Sequence, residues 1–176
     1  NPSWCDDIVK RFHNHHFRVY LNSDLVGVQL CAVMKNVLAL AVGMADGLEL
    51  GANSRAALIT RGLAEMSRLI LAMNAKTSTL FGLAGIGDIV LTCTDDQSRN
   101  RRFGLALGRG LTTQAAFAEI GQEVEGAHNV RQVALLSERL GLDMPITTAV
   151  YGLLEGQVTP EKMVLDLMQR APKTEN

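Results

Sequence analysis

Lys35 lies near the middle of an apolar run from Leu25 to Ala45, and the part of that run around it supplies no carboxylate. An ammonium held in apolar surroundings without a counter-charge is strongly unfavourable and tends to give up its proton. A lysine so placed is suited to work as a base or to hold a substrate. The plainer reading is a stem laid along the core with the amine reaching the surface. Asn36 follows it directly and adds a side-chain amide that can donate and accept. Further along, Ser98-Arg99-Asn100-Arg101-Arg102 joins a capping hydroxyl, the free N–H groups of a helix start and guanidinium groups. Together these bind an anion such as phosphate. The same spacing also suits an ordinary capped helix whose arginines face water. Arginines in a first turn oppose the helix dipole, however, and so invite an anionic partner.

Between these two stretches runs Gly82-Leu83-Ala84-Gly85-Ile86-Gly87-Asp88. Its glycines allow close backbone approach, but the spacing is not GxGxxG and no strand precedes it, so it is not a dinucleotide fingerprint. Tight turns between helices explain the glycines equally well. Asp88 reads either as a helix cap or as a hydrogen-bond partner for the Lys35 amine or a substrate hydroxyl. His13, His15 and His16 lack the accompanying Cys or carboxylate pattern of a metal site, and no metal is expected. His128 has no recognisable partner in the sequence.

The elements that must position these residues are helical. The chain has 176 residues, 47% of them hydrophobic and only 5% aromatic, which suits one helical core. Its 17 basic and 18 acidic residues leave a net charge of −1, which argues for a small partner rather than nucleic acid. Three widely spaced cysteines fit neither a disulfide framework nor a CxxC site and point to a reduced, cytosolic setting. The run from Leu25 to Ala45 is long enough to cross a membrane, but Lys35, Asn36 and Gln29 make a buried core helix the better reading.

Apolar spacing marks the end of an amphipathic helix over Ile8 to His16, and Phe17 to Leu21 alternates as a strand. A lone strand is not stable, so this αβ piece reads as the end of a sheet domain lying upstream, with a boundary at residues 22 to 24. Helices follow over about 24 to 46, 55 to 73 with an Asn53-Ser54 cap, 77 to 81, 99 to 107, 113 to 120 and 126 to 140. Two more start at Pro145 and Pro160. On the second long helix Arg55, Arg61, Glu65 and Arg68 form the polar side, while Met34, Met44, Met66 and Met73 read as core filler. The tail from Ala171 to Asn176 reads as frayed. The fold class expected is mainly α with a short αβ stub, residues 1 to 22 and 23 to 176 forming the two parts.

Several of these stretches, taken together, carry a resemblance. Phe17-Arg18-Val19-Tyr20, Gly27-Val28-Gln29-Leu30, Lys35-Asn36-Val37, Ala57 to Met66, Gly82 to Asp88 and Ser98 to Gly104 closely resemble the bacterial NAD(P)-dependent glycerol-3-phosphate dehydrogenases, in order and with matching gaps. The resemblance implies an all-α substrate domain of the 6-phosphogluconate dehydrogenase C-terminal-like type, preceded by the last helix and strand of a Rossmann domain. It implies interconversion of glycerol 3-phosphate and dihydroxyacetone phosphate with NAD or NADP, for phospholipid precursor supply. By position it makes Lys35 the general base, and Lys35, Asn36, Asp88, Thr92, Ser98, Arg99 and Asn100 the substrate site. Arg99, Glu123 and Glu125 become cofactor contacts, although Glu123 replaces an aliphatic residue usual in the family. Cys31 likewise replaces a small residue on the base-carrying helix, where slight repacking is expected. Partners would be a small phosphorylated substrate and a second copy of the chain. Two alternatives are a helical dimerisation or binding module without chemistry, and a β-hydroxyacid dehydrogenase acting on a carboxylate. Retention of Lys35 speaks against the first and the Ser98 to Asn100 cluster against the second.

Overall fold

The computed structural model describes residues 4–168, and the tail from Ala171 to Asn176 lies outside them. Ten α-helices follow one another with one π-helical turn, and the described residues contain no strand. They are α1 (Trp4–Phe12), α2 (Leu25–Gly47), α3 (Gly51–Ala72), α4 (Thr77–Leu80), α5 (Asp88–Thr94), α6 (Arg99–Gly108), α7 (Thr113–Ile120), α8 (Glu125–Arg139), α9 (Pro145–Leu154) and α10 (Pro160–Met168). The π-helical turn is Leu83–Gly87, ahead of α5.

The axis of the fold is α2. Every residue from Val37 to Ala45 is buried, because α6, α3, α8 and α5 pack around it. Its length and hydropathy would allow it to cross a membrane, yet these surrounding helices make it the core of the domain. Asp24 caps it, accepting from Gly27 N at 3.1 Å, and also accepts from Lys76 N and Thr79 Oγ1. One buried carboxylate thereby fastens the start of α2 to the start of α4. Hydrogen bonds from Thr79 and from the Lys76 backbone hold the Asp24 carboxyl below its ordinary pKa.

The tightest packing is between α2 and α6, and it is made by glycines. A Cβ on Gly43 would lie 2.1 Å from Arg101 O, and one on Gly104 would lie 2.2 Å from Leu40 O. Gly47 and Gly108 repeat the arrangement one turn further along, against Leu105 O and Met44 O. Glycines four apart on two facing helices thus let backbone meet backbone. That close approach brings the start of α6, with Ser98 and Arg99, against the middle of α2.

Four expectations are corrected. Phe17 to Leu21 forms no strand, because no described segment offers it a ladder, and Phe17, Tyr20 and Leu21 are exposed. The first helix ends at Phe12, before the histidines, where Asn14 Oδ1 accepts from His16 N and Phe17 N and turns the chain. Helix α3 begins at Gly51 without a side-chain cap, and Ser54 Oγ instead donates to Leu50 O within the first turn. Glu65 is not on a solvated face: it is 1% exposed and accepts from Ile146 N, Thr147 N and Thr147 Oγ1, so it caps α9 from α3. Burial raises its pKa, in opposition to those hydrogen bonds.

Candidate active site

Lys35 stands where α2 emerges from the core rather than deep inside it, with 22% of its side chain exposed. Its ammonium is also not alone. Nζ donates to Asp88 Oδ2 at 2.5 Å, and Asp88 Oδ1 accepts from Thr92 Oγ1 at 3.1 Å. Asp88 is the first residue of α5 and makes no capping bond there; its carboxylate is spent on Lys35 and Thr92. The counter-charge missing from the apolar run is therefore supplied by another helix, delivered by the π-helical turn that re-aims the chain just before α5.

Opposite Lys35 lies the start of α6. Ser98 is its N-cap, and Ser98 Oγ accepts from Arg101 N at 3.2 Å. Arg99 Nη2 donates to Glu125 Oε1 at 2.8 Å, with 35% and 44% of the two side chains exposed. Asn100 is buried, and its Oδ1 accepts from Gly126 N at 2.8 Å while Nδ2 reaches Glu125 Oε2 at 3.4 Å. Gly126 is required there, since a Cβ would come 2.7 Å from Asn36 O. Asn100 and Gly126 thus fix the start of α8, and Glu125 with it, against α2 and α6.

These walls enclose an open cleft of about 300 Å³. Lys35, Asn36 and Thr92 line one side; Ser98, Arg99, Asn100 and Glu125 line the other. Asp88 acts on it from behind, through Lys35. Of the residues expected in the site, only Glu123 stands elsewhere: its carboxylate meets His128 Nε2 at 2.8 Å on the open surface. That pair also gives His128 the partner its sequence did not reveal. Leu91, Asp95 and Gln97 line the cleft as well, and sequence reasoning missed them. Their position three and seven residues before the Ser98 cap, on a helix end and the turn after it, was the available signal for Asp95 and Leu91.

Arg101 was expected to share the anion-seeking first turn, but it is buried and faces away from the cleft. It binds Asp46 Oδ2 at 2.7 Å, Cys93 O at 3.1 Å and the Asp96 carboxylate. Arg55 binds the same Asp46 from α3. Asp46 is in the last turn of α2, where a carboxylate opposes the dipole, and the two guanidiniums answer that charge. Cys93 beside them is fully buried, which pushes its thiol up to about 12; burial likewise pushes Cys31 on α2 up to about 11.

The cleft can thus hold an anion on one side and move a proton on the other. A model of the NAD-dependent glycerol-3-phosphate dehydrogenase C-terminus matches residues 24–165. The glycerol-3-phosphate dehydrogenase [NAD(P)+] of Coxiella burnetii is 51% identical over 175 residues, covering 99% of this chain and 53% of that protein. The protein of the same name from Legionella pneumophila is 55% identical over 175 residues, with the same coverage. The crystal structure of the Coxiella burnetii enzyme superimposes with a TM-score of 0.93 over 97% of this chain and 52% of that one. Glycerol-3-phosphate dehydrogenase from Saccharomyces cerevisiae, 26% identical, gives 0.83 over 94% of this chain and 48% of that one. The chain spans about half the length of the curated relatives it matches. With that agreement in sequence and in three dimensions, the chain belongs to the NAD-dependent glycerol-3-phosphate dehydrogenase family and carries its C-terminal, all-α domain.

Proposed function

We propose that this chain is the substrate-binding and catalytic half of an oxidoreductase that interconverts glycerol 3-phosphate and dihydroxyacetone phosphate for glycerophospholipid synthesis in the cytoplasm. The observation that carries the reading is one cleft with Lys35, backed by Asp88, on one wall and the Ser98-Arg99-Asn100 anion cradle on the other. In the oxidising direction Lys35 Nζ would take the proton of the C2 hydroxyl, and Asp88 would stabilise the ammonium that forms. In the reducing direction the ammonium returns that proton to the C2 oxygen.

The phosphate belongs at the start of α6. Ser98 Oγ already accepts from Arg101 N, so its O–H is left to donate to a phosphate oxygen. Arg99 exchanges Glu125 for the phosphate. Asn100 Oδ1 is committed to Gly126 N, which leaves Nδ2 as the donor it can offer. Asn36 and Thr92 line the opposite wall, where the glycerol hydroxyls would lie.

A nicotinamide cofactor, held at the open side of the cleft by Arg99 and Glu125, would supply the hydride chemistry at C2. Arg99 and Glu125 suit a dinucleotide at the open side of the cleft, since a guanidinium donates to phosphate oxygens and a carboxylate accepts from hydroxyls. Glu123, turned to His128, would contact it only after that pair opens. Residues 4 to 22 support the two-part organisation: α1 buries none of its residues, and the extended stretch after it is uncovered. Both would pack in the Rossmann domain that precedes this one. Homodimerisation belongs to the same reading and is measured by sedimentation of the intact protein.

The test is Lys35→Ala in the intact polypeptide, followed by NAD(P)H absorbance with dihydroxyacetone phosphate. Turnover should fall by about 10²–10⁴, the size of a general acid–base contribution. Near-normal turnover would make Lys35 structural and overturn the mechanism.

A further inference from the structure

Arg101 holds the turn between α5 and α6 at three points. Its guanidinium takes Cys93 O, at the C-terminal end of α5, and the Asp96 carboxylate within the turn. Its backbone N–H takes Ser98 Oγ where the turn becomes α6. The turn also closes on itself, with Gln97 N donating to Asp95 Oδ1 at 2.8 Å and Ser98 N to Asp95 O at 3.2 Å. Nothing in those internal bonds ties it to the helix that carries Lys35. Arg101 adds a side-chain tie through Asp46 Oδ2 at 2.7 Å, near the end of α2, to the glycine packing of α6 on α2.

We propose that Arg101, with Asp46 and Asp96, is the positioning group that holds the Ser98–Arg99 anion cradle in register with Lys35, and so sets substrate affinity without touching the substrate. A fixed fork is needed for this. Guanidinium presents several N–H groups in one plane and reaches two carboxylates and a carbonyl together, whereas a lysine ammonium cannot span the same three acceptors. The inference rests on the reading of the cleft as a glycerol 3-phosphate site. It adds that the site's geometry is set from the buried side of α6.

The experiment compares Arg101→Lys, Asp96→Asn and Arg55→Met with wild type in the intact polypeptide, measuring KM and kcat for glycerol 3-phosphate and the melting temperature. Arg101→Lys should raise KM about tenfold, the factor for one displaced charge-assisted contact, with kcat changed by less than about threefold. Asp96 is 75% exposed at its side chain, so Asp96→Asn should fold normally. It should still raise KM, by about threefold, since it loosens the turn through Arg101. Arg55 shares Asp46 but does not reach the turn, so Arg55→Met should lower the melting temperature and leave KM within about twofold. An unchanged KM in Asp96→Asn, or an equal rise in Arg55→Met, overturns the proposal. If wild type does not turn over glycerol 3-phosphate at all, the reading of the site fails instead, which the wild-type assay shows before any variant is made.

Discussion

Replacing Arg99 by Ala tests the anion cradle most directly, because the structure allows its effect to be worked as a difference. In the cleft Arg99 is paired with Glu125, and both side chains are more than a third exposed. Such a pair contributes about 0.2–1 kcal/mol. A charge-assisted hydrogen bond to a phosphate is worth about 1.5–3 kcal/mol. Binding a phosphorylated substrate exchanges the first for the second, so the net loss on removing Arg99 is about 0.5–3 kcal/mol, or roughly two- to hundredfold in affinity.

The assay is the KM for dihydroxyacetone phosphate against that for dihydroxyacetone, in wild type and in Arg99→Ala, with the intact protein. The analogue lacks the phosphate, so its KM should hardly move, and the ratio of the two should shift by the factor above. A general loss of folding would lower kcat for both without changing the ratio. An unchanged ratio with full activity would mean that the phosphate is held elsewhere and that Ser98 to Asn100 are only a helix cap.

The remaining predictions concern the scaffold and the cofactor. Gly104→Ala should lower the melting temperature, since its Cβ would meet backbone 2.2 Å away and overpacking of this kind costs about 1–3 kcal/mol; a melting point unchanged within about 1 °C would refute the close α2–α6 contact. Glu65 has a raised pKa, so its contribution to stability is fully present below the ordinary carboxylate value and is lost as pH rises through the folded value. The melting temperature of wild type minus that of Glu65→Gln should therefore shrink as pH rises from mildly acidic to neutral, and a difference that grows instead would refute the sign. The 176-residue chain titrated with NADPH should show only weak binding by fluorescence, because its sequence holds no GxGxxG turn; tight binding would place the main dinucleotide contacts in this domain.

Most helices were legible from local signals, because caps, prolines and apolar spacing act over a few residues. Helix α7 was expected over the residues it occupies, and Pro145 and Pro160 each start a helix. Other misreadings have a different cause, a partner far along the chain: Glu65 finds the start of α9 and Arg101 finds Asp46, and no local pattern announces either. Pairing with the Lys35 amine was one of two readings open for Asp88, and the fold decides for it over the helix cap. The strand at Phe17 to Leu21 fails for the same reason from the other side, since its alternation is real but no described segment pairs with it. One long-range feature was legible and passed over. Gly43 with Gly47, and Gly104 with Gly108, are four apart on two helices, a spacing that places small residues on one face and foretells close packing.

Both cations of the cleft begin with a carboxylate partner, and the two carboxylates are held differently. Asp88 is fixed by Lys35 and by Thr92 on its own helix. Glu125 is the more exposed of the two, and apart from Arg99 it has only a long contact from Asn100. On the proposed function it would yield Arg99 to an arriving phosphate at little cost and would then be a free acceptor at the edge of the cleft. On the proposed function that asymmetry implies an order of events: phosphate capture by Arg99 would release the Glu125 carboxylate, and the Lys35–Asp88 pair would then meet the C2 hydroxyl.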